Sequence, residues 1–219
     1  MAPVVILIRH AEGLHSKYRA HDWSIFDPKL TVKGIEQCKV LAAELEPRFP
    51  FTREESLIVV SPLARTLQTV QHSLPWLQAR GVPVEVRAEW QETTANPCDV
   101  GAALSELEAD WPDFDFSKVD PVYPEKTGLY GPSEEAIQNR ASVVRRWLFE
   151  RPEKCVVVVT HSGFLRRLVH GPKYQNVEYR AYRFADGLAE GELELKELNK
   201  ERPLEHEEDL SSKHPRIGA

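Results

Sequence analysis

The sequence predicts an α/β fold built on a mostly parallel sheet. Three apolar runs rich in β-branched residues have the length and composition of strands that are buried on both faces. Each run leads into a polar turn and then into a helical pattern, as expected where helices cover a parallel sheet. The runs are Val4–Ile8, Leu57–Val60 and Cys155–Thr160. With 219 residues and 42% hydrophobic content, the chain suits one domain with a core of ordinary size.

Helical patterns follow these strands and continue through the predicted domain. Thr31 is a suitable N-cap for a helix that runs to Glu46, where Pro47 stops it. Further helices are predicted at Leu63–Arg80, at Ala136–Phe149 after Ser133, and at Gly163–His170. Two late segments alternate polar and apolar residues and therefore indicate a hairpin or edge strands. These segments are Tyr179–Phe184 and Glu192–Leu198.

Two segments do not follow this pattern. Asp110–Pro132 is rich in Asp, Pro and aromatic residues, which indicates a long surface loop. Such a loop is either a lid or specificity element or an inert connection. The chain from Asn199 onward is charged and has almost no apolar residues. We therefore predict one domain at residues 1–198 and a disordered, charged tail at 199–219.

The composition excludes several classes of function. The net charge of −6 and the pI near 5.8 give no overall attraction to nucleic acid or to an acidic membrane surface, so an anionic ligand requires a local basic pocket. Three cysteines without a Cys-x-x-Cys pair indicate neither a disulfide framework nor a zinc knuckle. The first apolar run is too short for a signal peptide, and no later segment reaches a membrane-spanning length. We expect a soluble, cytoplasmic protein with reduced thiols.

The residues with the most reactive side chains directly follow the three predicted strands. They are Arg9-His10, Ser61-Pro62 and His161-Ser162-Gly163. Ligands of open α/β sheets bind at the carboxyl ends of the strands, so we expect a functional site where these residues meet. A Ser-Pro turn that opens a helix would also point Arg65 and the positive end of that helix toward an anion.

Four segments resemble the signature motifs of the histidine phosphatase superfamily, branch 1, in the order in which that family carries them. They are Leu7–Gly13, Leu30–Gln37, Ser61–Thr69 and Val159–Gly163. Ala11 takes the place of the usual glycine in the Arg-His-Gly signature. A fifth segment, Gln91–Gly101, resembles the acid segment of many fungal members, with Trp90 in place of the usual Leu. The resemblance implies a phosphoglycerate mutase-like, three-layer α/β/α sandwich.

The resemblance also implies the roles of five residues. His10 is the covalent nucleophile, Arg9, Arg65 and His161 bind the phosphate, and Glu92 transfers protons. These residue types suit the reaction, because a planar guanidinium matches phosphate oxygens and a neutral imidazole can accept a phosphoryl group. A protonated His161 would add another positive donor. One carboxylic acid can protonate the leaving oxygen and later take the proton from water.

Several positions depart from the family pattern or allow two interpretations. Ser16 stands where family members commonly carry an Asn that contacts the phosphate, and its hydroxyl can donate only one hydrogen bond. We expect Ser16 and Ser162 to contribute to substrate binding. Asp99 either supports the acid segment or only forms a turn. Aromatic residues of the long loop either line the pocket or pack within the loop; they are Trp111, Phe114, Phe116 and Tyr130.

The predicted function is a metal-independent phosphatase that uses no cofactor and hydrolyses a small phosphorylated metabolite. No carboxylate cluster or His-x-x-x-His spacing indicates a metal site, and the basic side chains make one unnecessary. A phosphoglycerate mutase is the first alternative, although the sequence after Glu92 lacks the Glu-x-x-Tyr-Gly motif that mutases of this family usually carry. A catalytically silent module that binds a phosphorylated ligand is the second. The identity of the substrate and the oligomeric state stay open.

Overall fold

A mostly parallel sheet forms the centre of the fold. The computed structural model describes residues 2–16, 22–186, 192–199 and 204. Within these residues the sheet contains β1 Val4–Arg9, β2 Ser56–Val60, β3 Val84–Val86, β4 Cys155–Thr160, β5 Tyr179–Phe184 and β6 Leu195–Glu197. Their order is β3-β2-β4-β1-β5-β6. The first four strands of this order are parallel, whereas β5 and β6 are antiparallel additions at one edge. The predicted sheet and the predicted late hairpin are confirmed.

Helices cover both faces of this sheet. They are α1 Val32–Leu45, α2 Ala64–Ser73, α3 Pro75–Ala79, α4 Leu104–Asp110, α5 Glu134–Phe149 and α6 Ser162–Leu168. Alternate side chains of β1 enter different cores, because successive residues of a strand face opposite sides of the sheet. Ile6 and Ile8 pack with residues of α1 and α2, whereas Val5 and Leu7 pack with residues of α5 and α6. The fold is therefore the three-layer α/β/α sandwich that the resemblance implies.

The helix predicted at Leu63–Arg80 is in fact two helices, α2 and α3. The break lies between Leu74 and Pro75, where Leu74 leaves the helical conformation. Proline has no N–H to donate and its ring clashes with the preceding turn, so it ends α2 and begins α3 as a first-turn residue. The predicted N-cap of α1 is confirmed: Thr31 accepts a hydrogen bond from the Gly34 N–H at the start of that helix.

The segment between α4 and α5 packs down onto the domain. Its aromatic side chains Trp111, Phe114, Phe116 and Tyr130 are buried in the core that contains α1 and α2. Packing is therefore the interpretation that the structure supports for these residues. Most of the predicted tail at 199–219 lies outside the described residues. Leu204, which falls within that tail, is 6% exposed and belongs to the same core.

The cysteines and the helices bear on two expectations drawn from composition. The cysteines Cys38, Cys98 and Cys155 are buried free thiols, as the absence of a Cys-x-x-Cys pair indicates. None of the helices in the described part of the chain has the length and the apolar surface that crossing a bilayer requires.

Candidate active site

Three of the motif segments meet at the carboxyl ends of β1, β2 and β4. Strands β1 and β4 are parallel neighbours with Arg9 beside Thr160. The residues that follow them, His10 and His161, consequently lie side by side, with their ring centroids 5.1 Å apart. Ser61 follows β2, and its Oγ lies 2.8 Å from Nε2 of His161. The sheet therefore brings the predicted site residues together at one edge.

The hydrogen bonds of the His10 ring fix its tautomer. The ring is 3% exposed, and its Nδ1 lies 2.7 Å from the carbonyl oxygen of Ala11. A carbonyl oxygen can only accept, so Nδ1 carries the proton and Nε2 keeps its lone pair. Burial, followed by the positive charges of Arg65 and Arg9, holds the pKa of His10 well below its usual value. The ring is therefore neutral near pH 7, with Nε2 as its nucleophilic atom.

The main chain around His10 is held from three directions. The N–H of His10 donates to the carbonyl of Thr160 at 2.9 Å. The side-chain amide of Asn176 donates to the carbonyl of His10 at 2.9 Å. The N–H of Ala11 donates to Oγ1 of Thr69 at 3.1 Å. These bonds fix the position of the ring before any ligand binds. Less conformational entropy is therefore lost when Nε2 reacts.

Arg65 joins the nucleophile to the acid segment. Its side chain is 1% exposed. Nε donates to Nε2 of His10 at 3.3 Å, Nη1 donates to the carbonyl of Cys98 at 2.6 Å, and Nη2 donates to the carboxylate of Asp99 at 2.9 Å. A guanidinium has five N–H donors, so two remain for a ligand after these three bonds. The Arg65 guanidinium, which is expected to bind phosphate, therefore also holds the acid segment in place.

Asp99 supports both Arg65 and the loop on which it lies. Its carboxylate is buried and accepts from Nη2 of Arg65 at 2.9 Å and from Oγ1 of Thr94 at 2.6 Å. A buried guanidinium without a counter-charge is costly, and Asp99 supplies that charge. Of the two interpretations from the sequence, support of the acid segment is the one that agrees with these contacts.

The carboxylate of Glu92 is fixed against the first turn of α6. Its Oε2 accepts from the N–H of Gly163 at 2.9 Å, and its Oε1 accepts from the N–H groups of Phe164 at 3.0 Å and Thr93 at 2.9 Å. A Cβ at Gly163 would collide with the Glu92 carboxylate, so any side chain at this position would displace the acid. Burial lowers the pKa of Arg9, and the Glu92 charge opposes that shift. Glu92 therefore acts electrostatically on the residue next to the nucleophile.

Three buried side-chain atoms of the motif residues form no hydrogen bond within the part of the chain that the structure describes. They are Arg9 Nε, His161 Nδ1 and Ser162 Oγ. Arg9 is oriented by a bond from its Nη1 to the carbonyl of Tyr174 at 2.9 Å. Burial, followed by the charges of Arg65 and His10, lowers the pKa of His161 well below its usual value. His161 is therefore neutral in the free protein, and it becomes cationic only if a bound anion draws a proton to it.

The chain after the Arg-His motif places His15 near the nucleophile. The ring of His15 is 7% exposed, and its centroid lies 6.0 Å from that of His10. It packs on Gly13, where a Cβ would lie 2.9 Å from the imidazole. Ser16 is partly exposed, and its N–H donates to the carbonyl of Gly13 at 2.9 Å. Substrate binding by Ser16 stays a prediction, and His15 is a further candidate for that role.

Two cationic residues near Glu92 were not predicted from the sequence as part of the site. Lys126, from the segment between α4 and α5, donates from Nζ to the main-chain carbonyl of Glu92 at 3.0 Å. Arg140, from α5, is fully buried, and its guanidinium lies 4.5 Å from the centre of the Phe164 ring. Burial lowers the pKa of Lys126 to about 7 and that of Arg140 to about 10, and the Glu92 charge opposes both shifts. In the sequence both residues resemble ordinary surface charges, since only tertiary packing brings them close to Glu92.

Replacement of Asp99 by Ala should lower the free energy of unfolding by about 3–5 kcal/mol, because the buried Arg65 charge loses its partner. Urea unfolding followed by circular dichroism measures the change. Asp110→Ala removes an exposed carboxylate at the end of α4 and serves as the control, with an expected change below about 0.5 kcal/mol. A cost for Asp99→Ala as small as that of the control would show that Arg65 does not depend on this ion pair.

Solved structures resemble this fold along most of the chain. The ecdysone phosphate phosphatase of Bombyx mori, solved with tungstate, has a TM-score of 0.58 at 15% identity and covers 83% of this chain and 89% of its own. A mycobacterial glucosyl-3-phosphoglycerate phosphatase has a TM-score of 0.54 at 17% identity, with coverages of 90% and 97%. At these identities the likeness shows a shared fold.

Comparison of the sequences establishes the family. A probable phosphatase of Schizosaccharomyces pombe is 28% identical over 166 residues, which cover 74% of this chain and 75% of the relative. Phosphoglycerate mutase-like protein 1 of Arabidopsis thaliana is 29% identical over 199 residues, which cover 74% of this chain and 68% of the relative. The family model for the histidine phosphatase superfamily (branch 1) matches residues 5–202. The chain is therefore an enzyme of the histidine phosphatase superfamily, branch 1, as its motifs predict.

Proposed function

We propose that this protein is a metal-independent phosphatase that hydrolyses a small phosphate monoester through a phosphohistidine on His10. The observation that carries the proposal is the state of the His10 ring. Its Nδ1–H is bound to the Ala11 carbonyl, burial keeps the ring neutral, and Nε2 holds a lone pair beside two guanidinium groups. A neutral, oriented imidazole in a cationic pocket is what nucleophilic attack on a phosphate dianion requires.

The charges around His10 support a phosphoryl group as the ligand. Attack on phosphorus spreads negative charge over the equatorial oxygens, and fixed donors in a buried site stabilise that charge strongly. Arg9 and Arg65 supply two permanent cations. Arg9 Nε, Ser162 Oγ and, in the tautomer that carries its proton there, His161 Nδ1 have no protein acceptor among the described residues, so they suit the oxygens of a phosphate. These donors belong to the protein itself, and the proposal therefore needs no cofactor.

Glu92 fits the proton transfers of both steps. In the first step Nε2 of His10 forms a bond to phosphorus, the bond from phosphorus to the leaving oxygen breaks, and Glu92 gives its proton to that oxygen. In the second step water attacks phosphorus, the bond to Nε2 breaks, and Glu92 takes the proton from water. The contacts of Glu92 with Gly163 and Phe164 hold the carboxylate in one orientation for both steps.

Transfer of the phosphoryl group to an organic acceptor is the competing activity, because several plant relatives are named phosphoglycerate mutase-like. The phosphatase name of the S. pombe relative and the absence of a Glu-x-x-Tyr-Gly motif after Glu92 favour hydrolysis. Release of phosphate from p-nitrophenyl phosphate, compared with isomerisation of 3-phosphoglycerate, separates the two activities. If isomerisation is faster than phosphate release, the protein is a mutase and the proposed phosphatase activity is wrong.

His10→Ala should abolish hydrolysis of p-nitrophenyl phosphate, because no other group offers a lone pair at the position of Nε2. The fold should persist, since the residue follows a strand end and its removal opens little core volume. The measurement is kcat, with thermal unfolding as a check of the fold. His72→Ala, on the partly exposed face of α2, is the matched control and should keep the wild-type rate. Retention of more than a few per cent of activity by His10→Ala would remove His10 as the nucleophile.

Glu92→Gln should slow hydrolysis of an alkyl phosphate by about 10²–10⁴-fold, because the poor leaving group loses its proton donor. With p-nitrophenyl phosphate the first step does not need the acid, so rapid-mixing experiments should show a burst of p-nitrophenol before slow turnover. Gly163→Ala should produce the same dependence on the leaving group, since its Cβ displaces the Glu92 carboxylate. Equal slowing of both substrates without a burst would contradict the acid-base role of Glu92.

A further inference from the structure

Lys126 is held in place over the acid side of the site. It lies between Tyr123 and Tyr130, which are both 3% exposed and belong to the core. The hydroxyl of Tyr130 donates to Asp120 at 2.9 Å, which ties the segment to itself. Buried anchors on both sides restrict the backbone at Lys126, although Lys126 itself is only partly buried. Its ammonium is therefore positioned in advance and does not have to be ordered when a ligand binds.

The ammonium of Lys126 has unused capacity for hydrogen bonds. It has three N–H donors, of which one binds the main-chain carbonyl of Glu92 at 3.0 Å. No carboxylate of the described residues lies within ion-pair distance of Nζ. The carboxylates that do act on it from further away, Asp99 and Glu92, are already bound by Arg65 and by main-chain amides. Although burial lowers the pKa of Lys126 to about 7, a nearby anion favours its charged form, so the protonated amine attracts an additional anion.

Lys126 lies beside the residue that is proposed to protonate the leaving group. In the proposed reaction the phosphoryl group binds His10 and the arginines, and Glu92 serves the oxygen that departs. Because Nζ is bonded to the main-chain carbonyl of Glu92 itself, it lies beside the acid segment. The charge of Lys126 also lowers the pKa of His161, after burial and the charges of Arg65 and His10. Lys126 therefore acts electrostatically on one of the histidines of the pocket.

We propose that Lys126 binds a second anionic group of the substrate, so that the physiological substrate is a phosphate monoester whose alcohol part carries a carboxylate or another phosphate. The inference rests on the proposed phosphatase function and adds the chemical class of the leaving group. Arg9 and Arg65 take the phosphoryl oxygens, and Lys126 takes the anion at the other end. A charge-assisted hydrogen bond of this kind changes binding by about 10- to 100-fold.

The test compares phenyl phosphate with the 2-, 3- and 4-carboxyphenyl phosphates, which place a carboxylate at different distances from the phosphorus. The wild-type enzyme should prefer one of these isomers by about 10- to 100-fold in kcat/KM, mainly through a lower KM. Lys126→Met keeps the length of the side chain and should abolish that preference, whereas Lys126→Arg should retain it. All four phosphates are measured on one sample, so the ratios of kcat/KM do not depend on how much of a variant is folded.

Lys118→Met is the matched control, because Lys118 lies on the same segment but is exposed. It should leave both the preference and the rates unchanged. Lack of preference for any isomer in the wild type, or a preference that survives in Lys126→Met, would overturn the proposal. Either result leaves hydrolysis of phenyl phosphate by His10 intact. Failure of the proposed function looks different, because phenyl phosphate would then not be hydrolysed in a manner that depends on His10.

Discussion

The rest of the site depends on the hydrogen bonds of the Arg65 guanidinium. It bonds to Nε2 of His10 on one side and to Cys98 and Asp99 on the other. The nucleophile comes from the end of β1 and the acid segment follows β3, so no local structure links them. A single buried cation joins them and sets the distance between them. Its own burial is possible because Asp99 supplies the compensating charge.

Burial also sets the protonation states on which the chemistry depends. Two histidines lie in one pocket with two arginines, and burial together with these charges keeps both rings neutral. A neutral His10 is a nucleophile, and a neutral His161 offers one N–H and one lone pair. Arrival of a dianionic phosphate reverses the electrostatics, because a negative charge favours the protonated form of a neighbouring imidazole. The same pocket can therefore present a lone pair before binding and added positive charge during the reaction.

The sheet and its central site could be predicted from the sequence, because short stretches of sequence indicate them. Apolar runs marked β1, β2 and β4, and the residues after those runs are the ones that the structure brings together. The break at Pro75 was visible in principle, since proline cannot continue a helix. β3, by contrast, has only three residues, which is too short for a periodic pattern.

The rest of the site depends on packing that no local pattern encodes. Whether His15 or Ser16 faces the nucleophile depends on the direction of side chains in a short 3-10 turn. Lys126 became part of the site only because Tyr123 and Tyr130 are buried on either side of it. Asp99 was ambiguous because a turn residue and a buried counter-charge have the same sequence signature. In each case burial, and not residue type, decides the role.

The most direct test of the account is the identity of the phosphoenzyme. Rapid quenching of the wild-type enzyme during turnover of p-nitrophenyl phosphate, followed by peptide mapping and phosphorus NMR, identifies the modified nitrogen. Because the Ala11 carbonyl binds the Nδ1 proton, we predict attack by Nε2 of His10 and therefore an acid-labile, base-stable phosphoryl group on that nitrogen. A phosphoryl group on Nδ1, on another residue or on none, in an enzyme that turns over normally, would contradict it.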